Sequence, residues 1–210
     1  TGVQNSVIGF ANVIVQSSIN DFGSIAMAGC GSYSKLEGFA FLPITSFSVA
    51  LTTFIGQNLG AKNYDRAKKG ARFGIITGVL LAEAVGAILW IFAPILIRLF
   101  NNQPEVVEIG VMQIRTEALF YCLLALSHCL SGILRGAGKS TIPMFVMLVS
   151  WCAIRITYIV TMVKIIPDIR VIFWAYPLTW FISSVVFIIY YTKADWMCGF
   201  KEQTSKQPAI

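Results

Sequence analysis

The sequence predicts an all-α membrane protein, a bundle of six transmembrane helices. Apolar residues make up 56% of the 210 residues and charged residues only 12%, whereas charged residues make up about a quarter of a typical soluble domain. Mean hydropathy is correspondingly high, at +0.72. Six long apolar stretches carry almost no charge, and a helix of about 20 residues is enough to cross the ~30 Å hydrocarbon core. The stretches are centred near Val13, Ala50, Val85, Leu124, Val149 and Ser183.

The six predicted helices use almost the whole chain. The second is predicted to begin at Ser24 and to run through Pro43, because Ile25 to Tyr33 is too apolar for an exposed loop; the alternative is a start near Gly38. The others cover about residues 4–22, 73–97, 111–133, 141–163 and 171–191. We therefore expect one transmembrane unit over residues 1–192 and a polar, mobile tail over residues 193–210.

The cations indicate the orientation in the membrane. Ten Lys or Arg lie in three places: the segment FIGQNLGAKNYDRAKKG with Arg72 just after it, the turn at 134–140, and the tail. The connections on the opposite side hold five. Short cytoplasmic loops are enriched in Lys and Arg. FIGQNLGAKNYDRAKKG covers the end of helix two and the turn into helix three. The sequence thus predicts that this segment and the tail lie in the cytoplasm. The net charge of +6 is assigned to topology and anionic lipid, with no nucleic-acid partner.

The first helix carries a stripe of amides. Asn5, Asn12, Gln16 and Asn20 follow spacings of seven, four and four, which at 100° per residue confines them to an arc of about 80°. Such a stripe must face protein or water, because polar side chains are costly in lipid. Hydrogen bonds between helices and the lining of a cavity both explain it, and the choice stays open.

The fourth helix carries a titratable face. Glu117, Tyr121, Leu124 and His128 follow spacings of four, three and four. A carboxyl and an imidazole on one face inside a bundle suit proton coupling. Two simpler explanations remain: Glu117 could reach the outer interface beside Arg115, and His128 could only bond a backbone carbonyl.

Two further charges, Glu83 and Arg155, lie within predicted helices. We expect them to form a structural ion pair. Lys35 and Glu37 are expected in the outer part of a long second helix.

No pattern in the sequence indicates an enzyme. There is no nucleophile with a base, no metal-ligand cluster, and GAGKS at 136–140 lacks the upstream glycine of a phosphate-binding loop. The five cysteines include no C-x-x-C pair, so we expect buried apolar thiols. No cofactor is predicted.

Three stretches, taken in order, resemble the multidrug and toxic compound extrusion (MATE) transporters. They are SINDFGSIAMAG with KLEGFAFLPITSF, then GQNLGAKNYDRAKKG, then ILRGAGKSTIPM. The resemblance covers about residues 4–200 and fits the second lobe of a pseudo-symmetric, twelve-helix transporter, so we expect a preceding N-terminal lobe. It implies a multi-pass antiporter of the plasma (inner) membrane that exports organic, often cationic, compounds in exchange for protons or sodium.

The resemblance also implies roles for individual residues. Asn12, Gln16 and Asn20 would bond the substrate, and Phe22 or Tyr121 would offer it an aromatic face. Glu117 and His128 would couple ion entry to export. Some family branches place acids on the first helix and in the middle of the fourth, where this chain has amides and Leu124.

Two alternatives remain from the sequence. A lipid-linked oligosaccharide flippase of the same fold should have a more cationic cavity than Lys35 and Arg155 suggest. A self-sufficient six-helix channel or structural module is the other.

Overall fold

The computed structural model describes the backbone of residues 2–194 and 196–197, and the side chains of residues 8–194 and 196–197. Within these residues every regular element is a helix, which confirms the predicted fold class. In lipid, a helix satisfies its backbone hydrogen bonds within one segment. The α-helices are α1 (Gly2–Asn20), α2 (Ser24–Gly60), α3 (Tyr64–Arg98), α4 (Pro104–Glu117), α5 (Tyr121–Gly136), α6 (Thr141–Met147), α7 (Arg155–Ile165) and α8 (Arg170–Lys193).

Two of the six predicted helices are interrupted. A 3-10 turn at Ala118–Phe120 joins α4 to α5, and a π-helical segment at Leu148–Ile154 joins α6 to α7. With these joined, five spans in the described part of the chain are long and apolar enough to cross a membrane. The 19-residue α1 is not among them, because its amide side chains lower its hydropathy.

The second helix is long, as predicted, and contains Pro43. The third begins earlier than predicted, at Tyr64, so the turn between α2 and α3 is only Ala61 to Asn63. Lys62 makes that turn with a positive φ of 62°. Most of FIGQNLGAKNYDRAKKG is therefore helical, and its cations other than Lys62 lie on the first turns of α3.

Helices α5 and α2 pack with their backbones in close contact. A Cβ added at Gly132 would lie 2.5 Å from the carbonyl oxygen of Ser48, and one at Gly136 would lie 2.5 Å from that of Thr52. Only glycine permits this approach. Small residues four apart, as Gly132 and Gly136 are, predict close packing of helix backbones from the sequence alone, and the structure confirms it.

The predicted mobile tail is partly wrong. Trp196 and Met197 are buried, and the Trp196 ring stacks on Tyr191 with centroids 5.6 Å apart. Burial of an indole holds the start of the tail against the bundle. Residues 195 and 198–210 lie outside the described part of the chain.

Candidate functional site

A cavity of about 390 Å³ lies between α1, α2, α4, α8 and the π-helical segment with the start of α7. Its wall is both polar and aromatic. The polar side chains are Asn12, Gln16, Ser34, Glu37, Gln113 and Arg155, and the aromatic ones are Phe41, Trp151, Tyr176 and Trp180.

The amide stripe of α1 faces this cavity in part. Asn12 and Gln16 line it, and Gln16 Nε2 donates a hydrogen bond of 3.1 Å to Asn20 Oδ1. Asn20 itself does not line the cavity. Phe22 packs against an apolar cluster that includes Ile19 and is also away from the lining. The side chain of Asn5 lies outside the described residues.

Glu117 is fully buried. Oε2 accepts a hydrogen bond of 2.8 Å from the Tyr33 hydroxyl, and Oε1 accepts one of 2.9 Å from Gln113 Nε2. The alternative in which Glu117 reaches the outer interface beside Arg115 is wrong, because Arg115 is exposed and its guanidinium lies over the Trp90 ring. Glu117 does not line the cavity, but Gln113 connects it to the lining.

Tyr121 is placed behind the cavity. Its side chain is fully buried, its hydroxyl lies 3.2 Å from that of Tyr33, and its ring meets Trp180 edge-on. Since the single proton of Tyr33 goes to Glu117, Tyr121 is the donor in this pair. The result is a chain of hydrogen bonds from Tyr121 through Tyr33 to Glu117.

His128 lies between two rings of the cavity wall. Its ring meets Phe41 and Trp151 edge-on, at centroid distances of 5.5 and 5.4 Å. Its Nε2 is buried and has no hydrogen-bond partner among the described residues. His128 thus contacts two lining residues but does not itself line the cavity.

The expected ion pair between Glu83 and Arg155 is not formed. Glu83 Oε2 accepts a hydrogen bond of 3.1 Å from the backbone N–H of Cys122, next to the 3-10 turn. Arg155 points into the cavity, donates from Nη2 to Thr179 Oγ1 at 2.9 Å, and lies 4.3 Å from the centroid of the Tyr176 ring. Each of the two charges therefore has its own partner on a different helix.

Sequence reasoning missed the roles of Glu37 and Gln113. Glu37 lines the cavity and interacts electrostatically with Arg155, although it was expected in the outer part of α2. A spacing of four from Tyr33 to Glu37 to Phe41 was available as a signal. Gln113 likewise lies one turn before Glu117 on the same face.

The comparisons with known proteins agree on one family. The model described as MatE matches residues 1–161. The "Probable multidrug resistance protein NorM" of Thermotoga maritima is 32% identical over 158 residues, which is 75% of this chain and 33% of that protein. The "Probable multidrug resistance protein YpnP" of Bacillus subtilis is 27% identical over 154 residues, 73% of this chain and 35% of that protein.

Solved structures share the fold. A "Crystal structure of MATE in complex with MaD3S" superposes with a TM-score of 0.87 at 16% identity, covering 92% of this chain and 44% of that one. An "Outward-facing conformation of a multidrug resistance MATE family transporter of the MOP superfamily" gives a TM-score of 0.86 at 17% identity, covering 92% and 43%. Of the two multidrug resistance proteins named above, the matched region of this chain spans about a third of the length.

Proposed function

Since the chain belongs to the MatE family, we propose that it forms the second six-helix lobe of a secondary active antiporter. The complete transporter exports organic, often cationic, compounds in exchange for protons or sodium. Two relatives carry names of multidrug resistance proteins and are about three times as long as the matched region. Pseudo-symmetric lobes with a substrate site between them suit such a length.

The polar and aromatic cavity is the observation that carries this proposal. Polar groups within membrane helices are costly, and by default they mark a substrate or ion pathway. Asn12 and Gln16 offer hydrogen bonds to a substrate. The lining rings of Phe41 and Trp180 offer aromatic surface to a cation, whereas Trp151 and Tyr176 already contact the Arg155 guanidinium. Phe41 and Trp180 take the role first assigned to Phe22 or Tyr121, while Asn20 acts by orienting Gln16.

Glu117 is the proposed coupling residue. Its two hydrogen-bond donors, Tyr33 and Gln113, come from two helices. Protonation turns one of the two carboxyl oxygens from an acceptor into a donor, so at least one of these bonds must change. Gln113 lies in the cavity wall, so this change reaches the substrate site. His128, between Phe41 and Trp151, is the second proposed coupling residue.

The test is export by the complete polypeptide encoded by the reading frame, reconstituted in lipid vesicles. A pH step or a sodium gradient drives transport of the cationic dye rhodamine 123, and we expect Glu117→Gln to lower the rate at least about tenfold, or about 1.4 kcal/mol in the barrier, because an amide cannot take up and release a proton or carry the charge that binds sodium. The matched control is Glu108→Gln, an exposed carboxyl on the same helix. Undiminished export by Glu117→Gln excludes Glu117 from coupling, and a dye that never moves excludes the transport function.

The flippase alternative gains no support from the cavity. Arg155 is its only cationic lining residue in the described part of the chain. Lys35 instead lies over the Phe100 ring, 5.3 Å from its centroid. We place the lobe in the plasma (inner) membrane with the Ala61 to Asn63 turn and the tail in the cytoplasm.

A further inference from the structure

A groove of about 610 Å³ opens on the lateral surface of the bundle, between α4, the 3-10 turn and the start of α8. Arg115 lines it from α4 and is exposed, whereas Gln113 and Glu117 are buried on the other side of the same helix. Arg115 is two positions from each of them, which is about 200° around a helix. The groove is therefore separate from the cavity and faces away from it.

The two arginines of the groove, Arg115 and Arg170, lie at the same level of the bundle. The Phe120 ring meets the Trp174 ring edge-on, with centroids 5.8 Å apart. One span, α6 to α7, lies between α5 and α8, so α4 and α8 cross the membrane in the same direction. Arg170 precedes Trp174 by four residues, and Arg115 precedes Phe120 by five. Both guanidinium groups therefore lie about one helical turn outward from this pair of rings.

Both guanidinium groups keep N–H donors available. The Arg115 guanidinium lies over the Trp90 ring, 5.4 Å from its centroid, and this contact uses its flat face and not the N–H groups at its edge. Arg170 bonds Asp168 Oδ1 through its backbone N–H at 2.8 Å, and within the described residues its side chain has no hydrogen bond or ion pair. Both side chains are exposed, and an unpaired charge on a membrane-facing surface is costly.

Aromatic and apolar side chains continue the groove along the membrane. Trp90 and Trp174 are partly exposed beside the two arginines, and tryptophan is enriched where a membrane meets water. Further toward the cytoplasmic side, exposed apolar side chains follow on the same surface, at Leu119 and then at Leu178 and Phe181 of α8. This combination suits a molecule with a charged head and a hydrocarbon chain.

The charges of the lining favour an anionic head. Among the described residues that line the groove, Glu108 is the one carboxyl beside the two arginines. The lining therefore carries an excess of one positive charge. A headgroup with one negative charge compensates it, whereas a zwitterionic headgroup has no net charge and leaves it uncompensated.

We propose that this groove binds one anionic phospholipid of the outer leaflet. Its phosphate accepts hydrogen bonds from Arg115 and Arg170, and one acyl chain lies along Leu119 and Trp174. The outer leaflet follows from the proposed topology, since the turn between α2 and α3 lies at the other end of α3. The site goes beyond the proposed export function and does not depend on it.

The test compares two lipids that differ in the net charge of the headgroup. Dioleoylphosphatidylglycerol carries one negative charge, and dioleoylphosphatidylcholine has no net charge. Native mass spectrometry of the complete polypeptide in detergent gives the apparent dissociation constant of the first bound lipid. We expect phosphatidylglycerol to bind about fivefold more tightly, which corresponds to about 1 kcal/mol for one net charge.

Paired variants separate the groove from the overall charge. Arg115→Gln together with Arg170→Gln is expected to bring the two lipids to about equal binding. Arg115→Lys together with Arg170→Lys should keep part of the preference, because the charge remains but the guanidinium fork is lost. The matched control is Arg98→Gln together with Lys164→Gln, which removes exposed cations at the same ends of α3 and α7 and should leave the preference unchanged.

Equal binding of the two lipids by the unmodified protein overturns the proposal without any variant. So does an equal loss of preference in the glutamine pair and in the control pair, which would make net charge responsible and not the groove. A glutamine pair that dissociates a dimer while lipid binding stays unchanged would assign the groove to a second copy of the chain, and also overturns it. Export of rhodamine 123 is measured separately, so a failed export with an intact lipid preference removes only the antiporter proposal.

Discussion

The Tyr33 hydroxyl donates a hydrogen bond of 2.8 Å to Glu117 Oε2, although 84 residues separate the two in the chain. This bond joins α2 to the end of α4 inside the bundle and gives the buried carboxyl its second donor. Cross-helix pairs of this kind hold buried polar groups at fixed positions, since each partner left alone would be unsatisfied.

Tyr33→Phe is expected to destabilise the bundle by about 1–3 kcal/mol, because it removes a donor from buried Glu117 and the acceptor of Tyr121. The melting temperature in detergent measures this. Tyr158→Phe is the control, since the Tyr158 hydroxyl has no hydrogen bond to the described residues. Equal melting temperatures for the two variants would contradict the importance of this bond.

Gly132→Ala is expected to separate α5 from α2. The added Cβ would lie 2.5 Å from the Ser48 carbonyl oxygen, and overpacking of this kind costs about 1–3 kcal/mol. Gly38→Ala has no atom within 4 Å of the added Cβ and should stabilise α2 by about 0.5–1 kcal/mol instead. Opposite shifts in the detergent melting temperature are the expected result, and a stabilising Gly132→Ala contradicts the packing.

Ser48→Ala tests the polar contact at the same interface. Ser48 Oγ donates to the carbonyl oxygen of His128 at 2.7 Å and accepts from Arg135 Nη2 at 3.0 Å. Interhelical bonds in membranes stabilise by about 0.6 kcal/mol on average, up to about 1.7, so a loss of about 1 kcal/mol is expected. Thr53→Ala, whose hydroxyl in the described part of the chain bonds Val49 of its own helix, should lose less when the free energy of unfolding is measured by denaturant titration in detergent. An equal loss in the two variants would contradict a stabilising role of the Ser48 contact.

Single cysteines test the orientation. In a protein whose native cysteines are replaced by serine, Asn63→Cys lies in the turn before α3 and Asn102→Cys lies in the connection before α4. A maleimide that cannot cross membranes should label position 102 from outside intact cells and position 63 only after lysis, because cation-rich turns stay in the cytoplasm. The reverse pattern would contradict the proposed topology.

The sequence predicted the helices because lipid leaves the backbone few choices. Ser24 as the start of a long α2 and Gly132 as a packing residue follow from hydropathy and small-residue spacing alone. The interruptions at Ala118–Phe120 and Leu148–Ile154 have no such signal, since apolar periodicity does not distinguish one helical hydrogen-bond pattern from another.

The sequence by itself therefore determined the fold class, the family and the polar stripe of α1, but it left open whether that stripe faces a cavity or another helix. Only the tertiary structure decided that Glu37, Gln113 and Arg155 meet in one cavity while Tyr121 lies behind it. These residues come from separate helices, and their distances depend on how the helices pack and rotate about their axes. That rotation is set by contacts such as Ser48 against Gly132, which no periodicity within a single helix encodes.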